Sequence, residues 1–203
     1  DAQGTFEVLE FCRKNGIKKI LNFSSSRVLS KEKNPYTAAK IYGEELCKGY
    51  YDCYGIEYII IRPSTVYGPF WDLTRRLMHI FITNALQNKD LEIYGDPNLK
   101  TLDFTYVDDF IDGIILAIQG PWNKEYNISG KEDYNVYNLA KFILKETKSK
   151  SKIVFKEAEI AQPQKVNLDI SSIKSLGYSP RINVEQGALK CIEFYKGYMK
   201  EKG

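Results

Sequence analysis

Three consecutive hydroxyls, Ser24-Ser25-Ser26, are followed ten residues later by Tyr36-Thr37-Ala38-Ala39-Lys40. Tyrosine and lysine four residues apart on a helix share one face, about 5–6 Å apart at Cβ. An unperturbed phenol, with a pKa of about 10, is a poor base at neutral pH, but a nearby ammonium favours phenolate and lowers that value by roughly one to three units. A serine hydroxyl bonding the same substrate oxygen would complete an acid/base site for an alcohol or carbonyl. Tyr-x-x-x-Lys also arises by chance in helices, so the surrounding elements decide its meaning.

The run Lys19-Ile20-Leu21-Asn22-Phe23 is short, apolar and β-prone, and predicts a buried strand over 18–24 that delivers the serines at its carboxyl end, where sites in open α/β sheets lie. A helix over 36–54 carries Tyr36 and Lys40. A second buried strand, 57–62, ends in Arg62-Pro63-Ser64-Thr65-Val66-Tyr67-Gly68-Pro69, where proline and glycine predict a loop. The remaining pattern predicts helices near 3–15, 74–87, 108–118, 135–148, 170–175 and 183–199, with strands near 91–94, 102–106, 125–128 and 153–156. The βαβ rhythm up to Arg62 predicts a parallel sheet with right-handed crossovers, and the later short elements a small mixed lobe.

Composition narrows the function classes. With 203 residues, 43% of them hydrophobic, the chain can bury a sizeable core. Its 29 basic and 26 acidic residues are interspersed and leave a net charge of +3, so no basic stripe points to nucleic acid. The run Lys145–Lys152 reads as a solvated helix end. No apolar stretch approaches the roughly 18 residues of a membrane span, and no signal peptide is visible, which makes the cytoplasm the expectation. Cys12, Cys47, Cys53 and Cys191 form no C-x-x-C pair, and His79 is the one histidine, in an apolar helical stretch. Metal binding is therefore not expected; the thiols read as free and the imidazole as structural.

The Ser and Tyr-x-x-x-Lys residues resemble those of the short-chain dehydrogenase/reductase superfamily. Arg62-Pro63-x-x-Val66-Tyr67-Gly68-Pro69 resembles the "RP-x-x-VYGP" signature of its extended members, the nucleotide-sugar epimerases and dehydratases. Leu91–Asp96 with Thr101–Asp109 is similar to that group's "iyGdG…RDFxyVdD" segment, Tyr126–Gly130 to its "yNiG", and Leu176–Pro180 to its "LGW-x-P". The resemblance runs through the whole chain, from Gly4-Thr5 onward. It implies an α/β fold, namely the C-terminal part of a Rossmann-type parallel sheet (residues 1–68) and a small mixed α/β substrate-binding lobe (mainly 69–203, with some elements returning to the sheet).

The same resemblance implies the roles. Tyr36 would be the acid/base, Lys40 would tune it and hold the nicotinamide ribose, and Ser26 would orient the sugar. Ser25 stays in contention, because aligning Phe23 favours Ser26 and aligning Val28 favours Ser25. Pro63 and Val66 would lie near the nicotinamide, with Ser26, Thr65, Tyr67 and Lys100 toward the nucleotide-diphosphate sugar. Thr65 stands where many relatives have an asparagine, and Leu102 where they have an arginine; Lys100 or Lys165 would replace the lost charge. The implied cofactor is NAD, with NADP as the alternative. A homodimer is a further implication, since the family often pairs the helix after Tyr36; Tyr42, Tyr50 and Tyr51 suit that or ordinary packing.

The implied reaction is epimerisation through transient oxidation at sugar C4. Dehydratases of the group place an Asp-Glu pair beside the serine because elimination of water needs a further acid and base. Arg27 and Val28 stand there instead. A 4-keto-sugar reductase using NADPH remains an alternative, as does the 4,6-dehydratase. Family members begin with a Gly-rich turn that takes the cofactor pyrophosphate. No such cluster occurs in this sequence, and the loop between Ser26 and Tyr36 is short, so the expectation is a fragment of a longer enzyme, inactive alone. The competing class is a non-catalytic binding protein that keeps the fold.

Overall fold

A computed structural model describes residues 2–158 and 168–201. They form two compact units. The first takes the chain up to Ser64, Phe110–Ser129 and the segment ending at Ser179; the second takes Thr65–Asp109, the segment starting at Gly130 and the stretch from Pro180.

The first unit is built on a parallel sheet of β1 (Lys19–Phe23), β2 (Glu57–Pro63) and β6 (Lys124–Ile128), in the order β1-β2-β6. Leu21 faces Ile59 in register, and Ile61 faces Tyr126. The side chains of β2 alternate between two apolar layers, as a strand buried on both faces requires. Tyr58 and Ile60 pack with Leu9 and Cys12 of α1 (Ala2–Lys14) and with Cys47 and Tyr50 of α2 (Pro35–Tyr54). Ile59 and Ile61 pack with Ala117 of α4 (Val107–Gln119), Tyr126, and Ile173 of the short α6 (Ser171–Lys174).

Helix α2 carries the Tyr36–Lys40 pair, and its ends are well defined. The Asn34 side chain accepts a hydrogen bond from the Thr37 amide at 2.9 Å, Pro35 occupies the first turn, and Gly55 closes the far end with a left-handed φ of 65°. Helices α1 and α2 are tied by the Tyr50 hydroxyl, which donates to Glu10 at 2.7 Å. Arg13 first and Tyr50 second hold the Glu10 carboxyl at about 2. Tyr50 is thus a core residue, whereas Tyr42 and Tyr51 are exposed.

The second unit holds β3 (Thr65–Tyr67), β5 (Thr101–Tyr106) and β7 (Asp133–Asn135) in the order β3-β5-β7, and a parallel pair of β4 (Leu91–Tyr94) and β8 (Ile153–Lys156). Helices α3 (Leu77–Leu86), α5 (Val136–Thr147) and α7 (Val184–Glu201) enclose its core. At Gly187, α7 comes so close to Tyr67 that a Cβ would sit 2.1 Å from the phenol oxygen. The stretch after Pro63, expected as a loop, therefore contains a three-residue strand. Its pairing with Phe104–Tyr106 supplies the order that its own short run does not specify.

Candidate active site

The carboxyl end of β1 meets one face of α2. Tyr36, Lys40 and Glu44 succeed one another at four-residue steps along that face. The Lys40 ammonium donates to the Phe23 carbonyl at 2.9 Å and lies 5.7 Å from the centre of the Tyr36 ring. Tyr36 is 47% exposed, so the residue faces solvent rather than the core.

The three serines do three different things. Ser24 is buried; its amide donates to the Ile61 carbonyl at 2.8 Å and its hydroxyl donates to Glu44. Ser25 is also buried and caps a 3-10 turn over Ser26–Leu29, its Oγ accepting from the Arg27 amide at 3.2 Å. Ser26 opens that turn, is half-buried, and its hydroxyl makes no hydrogen bond among the described residues. Arg27 follows Ser26 within the same turn.

Behind the serines is a buried ion pair that sequence patterns left without a role. Arg62 donates through Nε to Glu44 Oε1 at 2.8 Å and through Nη2 to Oε2 at 2.6 Å. Bidentate bonding to Glu44 raises the guanidinium pKa further. Continuing the Tyr36–Lys40 step by four residues reaches Glu44, which is the sequence signal that could have found it. Pro63 ends β2 beside this pair, half-buried and level with Ile128 of β6.

In the second unit, Thr65 and Val66 are half-buried on β3, opposite Phe104 and Thr105. Tyr67 is buried, edge-on to Phe104 and Tyr106, with its hydroxyl 3.4 Å from the Asn183 carbonyl. Burial pushes its phenol well above the ordinary range. Its surroundings are those of a packing residue, although its edge borders a small recess shared with Thr65, Phe70, Arg76 and His79. The Lys100 ammonium donates to the Tyr94 carbonyl at 2.7 Å. Lys165 lies outside the described residues. Leu102, in the arginine's place, packs against the core.

His79 is buried, with Nδ1 2.8 Å from the Tyr195 hydroxyl and its ring edge-on to Trp71; burial lowers its pKa. Cys12, Cys47 and Cys191 are buried and Cys53 exposed, all as free thiols. Burial pushes the Cys47 and Cys191 thiols up to about 12. Among the described residues no group of histidine, cysteine and carboxylate side chains could hold a metal, and no helix is long and apolar enough to cross a membrane.

Known proteins share this arrangement of elements. The profile of the NAD dependent epimerase/dehydratase family matches residues 1–136. A putative UDP-glucose 4-epimerase of Methanocaldococcus jannaschii is 32% identical over 210 residues, covering 95% of this chain and 68% of its own length. The uncharacterized UDP-glucose epimerase YtcB of Bacillus subtilis is 30% identical, covering 95% of this chain and 65% of its own. The crystal structure of the UDP-glucuronic acid 4-epimerase from Bacillus cereus, in complex with UDP-glucuronic acid and NAD, superposes with a TM-score of 0.89 at 28% identity, covering 97% of this chain and 67% of that one. The chain thus spans about two thirds of the length of these proteins. With a matching profile over most of its residues and a relative of this similarity, the chain belongs to the NAD-dependent epimerase/dehydratase family.

Proposed function

We propose that the protein to which this chain belongs is an NAD-dependent epimerase of a UDP-linked sugar, acting at sugar C4 with Tyr36 as acid/base. The observation that carries this is the exposed Tyr36 beside the Lys40 ammonium, near the end of a parallel strand that is followed by the half-buried Ser26, whose hydroxyl makes no hydrogen bond among the described residues. Ser26 is favoured over Ser25 because Ser25 is buried and caps the turn, whereas Ser26 is half-buried. Arg27 beside Ser26 supports epimerase over dehydratase, since a guanidinium cannot serve as the additional acid and base of an elimination.

NAD fits part of what is present. Tyr36, Lys40 and the Pro63 backbone offer a phenol, an ammonium and a strand end for its nicotinamide half. A glycine cradle for the pyrophosphate is not among the described residues, where Gly16, Gly55, Gly95 and Gly177, the glycines with positive φ, each stand alone. The chemistry supplied by bound NAD is reversible hydride removal from the sugar carbon. Tyr36 takes the proton from the sugar hydroxyl and returns it to the opposite epimer, Lys40 keeps a positive charge beside the phenol, and Ser26 bonds the same oxygen and orients it.

The test is Tyr36→Phe in the full-length protein, assayed with UDP-glucose and UDP-glucuronic acid. Turnover is expected to fall by about 10²–10⁴-fold with NAD still bound. Near-normal turnover refutes the assignment.

A further inference from the structure

Glu44 has no part in the chemistry above, yet it bonds side chains from two other segments of the chain, Ser24 and Arg62. It lies one turn beyond Lys40, and both side chains grip the end of β1: Lys40 through the Phe23 carbonyl at 2.9 Å, Glu44 through the Ser24 hydroxyl. On its other side Glu44 receives the two Arg62 bonds of 2.8 and 2.6 Å from the end of β2. The adjacent main chain is joined as well, since the Ser24 amide donates to the Ile61 carbonyl at 2.8 Å. One buried carboxylate therefore binds three elements at the level of the reacting groups, and Ser26 is two residues from the point of attachment.

We propose that Glu44 is a positioning residue. Through Ser24 and Arg62 it fixes the carboxyl end of β1 along α2, and so sets where the Ser26 hydroxyl stands relative to Tyr36 and Lys40. This rests on the assignment of Tyr36 as acid/base. An apolar pair of similar volume would fill the same space and often stabilise the fold as well. It would leave the strand free to settle along the helix. A bidentate guanidinium-carboxylate pair has a fixed plane and two defined bond directions, and the carboxylate still has a lone pair for Ser24. Such directionality matters where a shift of about 1 Å in a reacting group costs as much as 10²-fold in rate.

Ser24→Ala in the full-length protein removes the link and leaves the ion pair in place. The expected result is a kcat lowered about 10- to 100-fold with KM for the UDP-sugar within about twofold. Amide hydrogen exchange, read by mass spectrometry on the peptide spanning Phe23–Ser30, should accelerate. Glu44→Gln keeps the shape and an acceptor for Ser24 while losing the charge, and should fall between Ser24→Ala and the parent in both measurements. A merely structural role would lower the melting temperature and leave the kcat of the folded enzyme unchanged. Parental kcat and exchange in both variants overturn the proposal. Tyr36→Phe measured alongside separates the two claims: if it is inactive and Ser24→Ala normal, only the positioning role fails. If Tyr36→Phe turns over normally, the acid/base assignment fails, and the exchange data still decide whether Glu44 holds the strand end.

Discussion

Glu44 with Arg62 in the first unit and Asp72 with Arg76 in the second join the same two functional groups over very different lengths of chain. Arg62 and Glu44 are 18 residues apart, their side chains are 16% and 5% exposed, and their bonds tie a helix to two strands. Asp72 accepts from the Thr74 amide at 2.9 Å, the Thr74 hydroxyl at 2.6 Å and Arg76 Nε at 2.8 Å, all within four residues, and Arg76 is 41% exposed. The second pair only closes the loop that enters α3. The first decides where elements distant in sequence stand. Chemical identity does not predict what an ion pair does; burial and the chain distance it spans do.

The largest contrast should come from removing one partner of the buried pair. Glu44→Ala leaves the Arg62 charge uncompensated and should cost about 3–5 kcal/mol in urea unfolding of the full-length protein. Replacing both, as Glu44→Met with Arg62→Leu, should restore most of that stability while activity stays low, because the bond to Ser24 is gone. Recovery of activity together with stability would make the two pairs alike after all.

Acid unfolding should show the next effect. Burial would raise the Asp72 carboxyl, but bonds from Arg76 and Thr74 outweigh it and hold the group at about 2, below its ordinary 3.8. A depressed folded value means a contribution complete above pH 3.8 and lost as pH falls toward 2. Asp72→Asn should flatten the acid limb of the stability curve over that interval. An unchanged limb would show that the loop is held by other contacts. The smallest effect belongs to Arg76→Ala, expected at about 0.2–1 kcal/mol because its guanidinium is half in water. A loss as large as that of Glu44→Ala would erase the distinction drawn from burial.

Much of the framework was legible because it is written locally. The apolar runs at Lys19–Phe23 and Glu57–Ile61 were readable as strands, and the four-residue step from Tyr36 to Lys40 brought phenol and ammonium together as helical geometry requires. Thr65–Tyr67 was not readable as a strand, since three residues between Pro63 and Gly68 show no period and owe their extension to β5. The serines were legible as hydroxyls at a strand end but not as individuals. What distinguishes Ser24 is Glu44, 20 residues on, and what distinguishes Ser25 is the turn that only the folded backbone creates.

Three identical residues in a row therefore encode a fastening, a cap and a hydroxyl without a hydrogen bond among the described residues, told apart by position alone. Composition and side-chain chemistry cannot detect a slip of that run by one residue. Deleting a single serine keeps two hydroxyls in the run yet brings Arg27 to the place of the third. A scan by point substitution would count three serines; a deletion series would reveal that the run works as a vernier, in which the residue number and not the residue type carries the information.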